Sequence, residues 1–372
     1  MPADAPSGWP PGFGVGAEER RALVVLASLR GITPRNLHRL VWQERSASQA
    51  LAAVFAGRAG SHGDRTHAAT AEPEAVLASA GAVDARFVTP NDDEYPDAVL
   101  QLDDPPAALF VRGARLDAED LRVAVVGSRR CSALGREVAY DLGRRLGGAG
   151  ACVVSGAAHG IDSASHRGAL AAGGRTIAVL GSGIDVAYPR SSAELIGRIA
   201  DVGTVVSEYA PGVPAEPHRF PSRNRIVAGL ASALVVVEGA AGSGSRISVD
   251  HALDLGRDVF AVPGPVTSPL AEVPLELIRE GATMIRGADD LLADLKVDVL
   301  PERAEPPVEL PDDERRAWGA LVAPSLPDVV ARSARLSIPE AVAALIRLEL
   351  RGLVRSSAGR YERTLAGARR GV

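Results

Sequence analysis

A doubly wound, Rossmann-like α/β core is the fold this sequence predicts, and three observations predict it. Short apolar runs recur through the middle of the chain: Val123-Ala-Val-Val126, Cys152-Val-Val154, Thr176-Ile-Ala-Val-Leu180, Ala233-Leu-Val-Val-Val237 and Val259-Phe-Ala-Val262. Helix-length segments separate them, and unbroken apolar runs of this length suit parallel strands buried on both faces. Glycine-marked turns follow the runs: Gly127-Ser-Arg129, Ser155-Gly-Ala-Ala-His-Gly-Ile-Asp162, Gly181-Ser-Gly-Ile-Asp185 and, past Glu238, Gly242-Ser-Gly-Ser-Arg246. Ligands of such sheets bind at the carboxyl ends of the strands, so the turns predict one composite anion site.

The most informative segment is Phe220-Pro-Ser-Arg-Asn-Arg225, placed where a loop is expected to give way to a helix feeding the Ala233 strand. Amide N–H groups at a helix start attract phosphate, guanidinium forks grip it bidentately, and an exposed Phe offers a face for an unpaired base. Alternatively, Phe220 is core and the arginines form ion pairs. On the functional reading Arg129, Arg223 and Arg225 hold phosphates, Phe220 stacks a base, and Arg175, Arg219 and Arg246 extend the groove. Gly127, Ser128, Ser155, Gly156, Gly181, Gly183, Asn224, Ser243, Gly244 and Ser245 supply turn backbone and hydroxyl or amide donors.

Taken in order, these pieces resemble the DNA-processing protein A (DprA/Smf) family. The matching motifs are Gly127-Ser-Arg129, Ser155-Gly156 with Gly160-Ile-Asp162, Leu180 to Asp185 with Tyr188-Pro189, Ser207-Glu208 with Pro211-Gly212, Phe220 to Leu230, Ser243-Gly-Ser245 and Phe260 to Gly264. They span about Val123 to Asp290. Departures fall at Arg246-Ile-Ser-Val249, at Arg190-Ser-Ser192 and at Pro217, where the family pattern has other residues. The resemblance implies a cytoplasmic single-stranded DNA-binding protein that dimerises, protects incoming DNA and loads the RecA recombinase during natural transformation, with no cofactor and no turnover.

Composition is consistent with such a protein. A chain of 372 residues with 46% hydrophobic content has room for two or three domains. No apolar run reaches 18 residues and the N-terminus lacks a signal-peptide pattern, so a soluble cytoplasmic protein is expected. Cys131 and Cys152 are too few for a disulfide framework or zinc site. The net charge of −5 is unevenly spread: residues 1–120 carry 11 Arg against 17 Asp and Glu, residues 121–295 carry 17 against 18, and residues 311–372 carry 11 against 7. A local positive pocket in the near-neutral centre is therefore compatible with overall acidity. Lys296 is the sole lysine, so every phosphate contact would come from Arg.

Four segments are expected. Residues 1–110 form a helical domain, with a hairpin of helices around Leu29-Arg-Gly-Ile-Thr-Pro34 and a loop over Gly57 to Ala71. It resembles the small sterile-alpha-motif or helix-hairpin-helix-like domain that precedes the core in the family. Residues 111–297 form the Rossmann-like core and residues 298–311 a Pro/Glu-rich linker. Residues 312–372 read as a winged helix: helices over Asp312–Leu321 and Pro327–Ser333, a third opened by Ser337 as N-cap with Glu340 as capping-box partner, then a hairpin turning at Gly359. Its basic surplus could serve DNA or a protein partner equally.

An enzyme, a nucleoside-monophosphate hydrolase, is the rival class, and a nucleotide-sensing scaffold without turnover is a third reading. Walker A, Gly-x-Gly-x-x-Gly, Gly-x-Ser-x-Gly and His-Glu-x-x-His patterns are all absent. Asp162, Asp185, Glu208 and Glu238 stand at strand ends, where they either catalyse or order turns. His159 and His166 have no metal-ligand spacing.

Overall fold

The computed structural model describes residues 8–116, 121–297, 309–365 and 367. The chain divides into two compact units, Met1–Val297 and Asp298–Val372.

The first unit is built on a nine-stranded sheet. Its strands are β1 (Ala85–Val88), β2 (Leu109–Gly113), β3 (Arg122–Val126), β4 (Cys152–Ser155), β5 (Thr176–Leu180), β6 (Thr204–Ser207), β7 (Ala233–Val236), β8 (Asp258–Ala261) and β9 (Thr283–Met284), in the order β1-β2-β6-β5-β4-β3-β7-β8-β9. From β6 to β9 all pairs are parallel, with Val123 opposite Val153 on one side and Ala233 on the other. Every residue of β3, β4, β5, β6 and β7 is buried, as expected of strands covered on both faces.

The chain builds outward from β3 through β4, β5 and β6, then returns to lay β7 on the other flank of β3. The returning segment is the helix Arg219–Leu230, whose Ile226, Val227 and Leu230 share a core with Val126, Val154 and Val179. Strand order reverses beside β3, which makes its carboxyl end the switch point where such sheets open a crevice.

Two features differ from the sequence expectation. The stretch assigned to a helical domain up to 110 contributes β1 and β2, an antiparallel pair added to the sheet edge through β2 and β6. Such edge strands have no helical crossover to announce them. The expected loop over Gly57 to Ala71 contains the helix His62–Thr70, started by a Ser61/Asp64 capping box. The Phe220 hexapeptide stands where the helix feeding β7 opens, in the first turns of Arg219–Leu230, as expected.

The helical hairpin is present as Ala17–Ser28 and Pro34–Glu44, with Thr33 capping the second helix and Pro34 at its start. Its turn amides at Arg30 and Gly31 donate to Oδ1 of Asp64 at 3.2 and 2.7 Å. The donors that a DNA phosphate would need at this turn are thus occupied, and the hairpin packs as part of the fold.

The second unit has helices Asp312–Ala320, Pro327–Ala334 and Ile338–Leu350, followed by the hairpin β10 (Val354–Ser357) and β11 (Arg360–Arg363). Ser325 pairs with Tyr361 to add one rung beside the hairpin. Trp318, Val330, Leu345, Leu348 and Leu353 form its core. The Ser337/Glu340 capping box opens the third helix.

Candidate nucleic-acid interface

Three segments converge beyond the carboxyl ends of β3 and β7 and enclose an open cleft of about 620 Å³. They are the turn from Gly127 to Arg130, the glycine loop from Ala240 to Ser245, and the helix face carrying Phe220, Arg223, Asn224 and Val227. The turn approaches β7 closely: Ser128 N donates to Glu238 O at 2.8 Å, and a Cβ on Gly127 would stand 2.7 Å from that oxygen. Asn224 ties the helix to the glycine loop, its Nδ2 donating to Gly244 O at 3.1 Å.

The mouth of the cleft combines aromatic and cationic groups. The Arg129 guanidinium sits 4.7 Å from the centre of the Phe220 ring, and the Tyr188 ring lies 5.1 Å away on a tilted plane. Arg129 and Arg130 are exposed, and among the described residues no carboxylate pairs with either. Exposed Tyr188 joins half-buried Phe220 as a ready stacking surface.

Arg223 lies deeper. Its Nη1 donates to Gly156 O at 2.7 Å and to Val179 O, and its Nε to Asn224 Oδ1 at 3.2 Å. Burial, first among the causes, and neighbouring Arg129 press this guanidinium down to about 10, while Asp162 pulls the other way. Burial also raises the Asp162 carboxyl, opposed by Arg223 and by the turn amides. A partly desolvated cation behind two solvated ones is a strong anchor for an entering anion.

Several expected site residues stand elsewhere. Arg225 is 2% exposed and its fork is spent on Glu208, at 3.0 and 2.8 Å, and on Asp104 at 3.1 Å, so it clamps the fold and is not available to phosphate. Its helical position, two residues from Arg223, turns it to the opposite side. Arg175 precedes β5 and so lies at the amino edge of the parallel sheet, away from the cleft. Arg219 is buried against Tyr209 and bonds to Pro214 O and Glu216. Arg246 is held by Asp250, Glu276 and Glu280. Ser155 donates to Val125 O at 2.7 Å, and buried Gly181 and Gly183 provide close backbone approaches, Gly181 against the Phe220 ring. The structure brings together Gly127, Ser128, Arg129, Gly156, Phe220, Arg223, Asn224, Ser243, Gly244 and Ser245.

Sequence reasoning did not assign Arg130, Tyr188 or Asp162 to the site. Tyr188 carried a signal, an aromatic beside a proline at the end of a glycine turn. The strand-end carboxylates are engaged in local structure. Asp162 accepts from Gly156 N and Ala158 N, Asp185 from Gly212 N, and Glu238 from both the amide and the hydroxyl of Ser132. Among the described residues no cluster of His, Cys, Asp and Glu could hold a metal, and no helix is long and apolar enough to cross a membrane.

Residues 86–296 match the family described as DNA recombination-mediator protein A, and residues 301–360 match the DprA winged helix domain. The chain belongs to the DprA/Smf family. It is 38% identical over 287 residues to the protein Smf of Escherichia coli K12, covering 74% of this chain and 76% of that one. The DNA processing protein DprA of Streptococcus pneumoniae R6 is 41% identical over 55% of this chain and 72% of its own length. A crystal structure of DprA from Streptococcus pneumoniae superposes with a TM-score of 0.63 at 31% identity, covering 75% of this chain and 98% of that one. The Helicobacter pylori DNA processing protein A, whose structure addresses its single-stranded DNA binding mode, gives 0.52 at 28% identity over 58% and 98%. The two matches give this chain both the α/β core and the winged helix of the family.

Proposed function

We propose that the cleft binds single-stranded DNA, with Arg129, Arg130 and Arg223 on phosphates and Phe220 and Tyr188 stacking bases, and that the protein delivers the strand to the RecA recombinase in transformation and recombination. The observation that carries this reading is the Arg129–Phe220–Tyr188 cluster at the mouth of an open cleft with a buried cation behind it. A duplex hides its base faces, whereas a single strand can offer both a phosphate and an unstacked base to this group. The family's description as a recombination mediator supports the hand-over to RecA, and the Helicobacter relative supports the choice of ligand. The protein acts in the cytoplasm, as a homodimer and without turnover: the carboxylates that a hydrolase would use at these strand ends order turns instead.

The test is a titration of labelled oligo-dT and of a duplex of equal length at two salt concentrations. Tighter, salt-dependent binding of the single strand is expected. Preference for the duplex, or binding of mononucleotides with none of oligo-dT, would overturn the assignment.

A further inference from the structure

Two loops that wall the cleft continue past it. The loop after β4 lines the cleft with Gly156 and Ala158 and runs on to His159; the loop after β5 lines it with Tyr188 and runs on to the 3-10 turn Arg190–Ser192. β4 and β5 are neighbours in the sheet, so the two continuations stand side by side. They also touch, with His159 Nε2 and Ser191 Oγ 3.3 Å apart. On its other side His159 is followed by Gly160, which fits against the Arg129 turn: a Cβ there would stand 2.3 Å from Ser128 O and 2.8 Å from Arg129 O. Ile161 N donates to Ser128 O at 3.3 Å. The Arg129 turn and the His159–Ser191 pair are therefore parts of one continuous rim.

His159, Arg190 and Ser191 are all exposed. In one tautomer of His159, Nε2–H donates to Ser191 and leaves the hydroxyl proton; in the other, the hydroxyl donates to Nε2 and leaves Nδ1–H. Either way one donor remains. Arg190 adds a cation that makes no ion pair among the described residues; of the two carboxylates flanking it in sequence, Asp185 accepts from Gly212 N, and Glu194 has no ion pair among the described residues. A guanidinium beside a spare hydrogen-bond donor is the chemistry of a phosphodiester contact. Every internal base of a strand is flanked by two phosphates, so a base stacked on Tyr188 with one phosphate toward Arg129 carries its other phosphate away from the cleft, along this rim. Resting on the reading that the cleft holds a single strand, we propose that Arg190 with the His159–Ser191 pair is a further phosphate subsite, which takes the strand out of the cleft past Tyr188.

The test is the salt dependence of oligo-dT binding by the full chain, measured by fluorescence anisotropy with an oligonucleotide longer than the cleft. Arg190→Ala is expected to lower the slope of log K against log salt by about 0.7, one single-strand phosphate, at an unchanged melting temperature, and Arg190→Lys to keep the wild-type slope. Arg198→Ala removes the same charge from an exposed position on the helix Ala193–Val202 and is expected to leave the slope where it was. The double variant His159→Ala with Ser191→Ala is expected to weaken binding about threefold or more, the worth of one hydrogen bond. A wild-type slope in Arg190→Ala would overturn the subsite. So would an equal fall in Arg198→Ala, which would reduce the effect to overall charge. Full affinity in the double variant would remove the His159–Ser191 pair from it. A wild-type protein that does not bind oligo-dT would overturn the reading of the cleft itself, and the subsite with it; that result is distinct from the loss of the subsite alone, in which the wild type binds and Arg190→Ala matches it.

Discussion

Gly156 leaves the space that Arg223 fills: a Cβ on Gly156 would stand 2.2 Å from Nη2 and 2.4 Å from Nη1 of the guanidinium. The glycine after β4 and the arginine of the returning helix are 67 residues apart in sequence, yet a side chain at 156 would occupy the place of the guanidinium. Gly156→Ala is therefore expected to expel the Arg223 head from its seat. Overpacking of this kind costs about 1–3 kcal/mol, read by chemical denaturation, and affinity for oligo-dT should fall in parallel. Unchanged affinity in a folded Gly156→Ala protein would remove Arg223 from the site.

Arg129→Ala is expected to weaken single-strand binding with no change in melting temperature, because the side chain is exposed and forms no ion pair among the described residues. Loss of one phosphate contact should reduce the slope of log K against log salt by about 0.7. A variant with wild-type affinity and slope would place Arg129 outside the interface.

Arg225→Ala should behave in the opposite way. Removing this side chain strands Glu208 and Asp104, and breaking a buried ion pair costs about 3–5 kcal/mol. The expected outcome is a large drop in the urea midpoint, with binding lost only as far as the protein unfolds. A stable Arg225→Ala protein defective in DNA binding would restore Arg225 as a ligand-binding residue.

Phe220→Ala should cost about 1–3 kcal/mol in oligo-dT affinity, the range for one base on one aromatic ring. Tyr188 lies against the same ring, so the double variant with Tyr188→Ala should lose less than the sum of the two single losses. Fluorescence anisotropy on short oligonucleotides measures all three.

His166 makes stability depend on pH. It is fully buried; its Nδ1 donates to Thr176 Oγ1 at 2.7 Å, since that hydroxyl is itself donating to Val153 O, and Nε2 has no partner among the described residues. Burial, first of all, and then Arg223 and Arg167 hold its pKa down to about 3 from the usual 6.5. Between these values the unfolded chain binds a proton that the folded protein refuses, so stability is lost as pH falls below about 6.5, by about 1.4 kcal/mol per unit. Urea denaturation at pH 7 and pH 4.5 should show about 3 kcal/mol more loss in the wild type than in His166→Gln. Equal losses in the two proteins would mean that His166 is not the titrating group.

The apolar runs, the helix-length spacing and the glycine turns were enough to determine the parallel core, the position of its cleft and the tail's order of elements, because buried parallel strands and capped helices leave local signatures. Gly127, Arg129, Phe220, Arg223 and the Ser243–Ser245 turn were legible as one site for the same reason: each follows a strand end or opens a helix. What the sequence alone could not decide was which arginines face the cleft. Arg223 and Arg225 differ by two positions in one hexapeptide, yet a helix sends them to opposite sides, and only the packed partners show that Arg225 meets Glu208 and Asp104 while Arg223 lies beside Gly156. Arg175 and Arg246 were likewise indistinguishable from phosphate ligands until the strand direction set one at the wrong edge of the sheet and three carboxylates surrounded the other. Local pattern determines where a turn falls; long-range contacts decide whether the charge it carries is already neutralised.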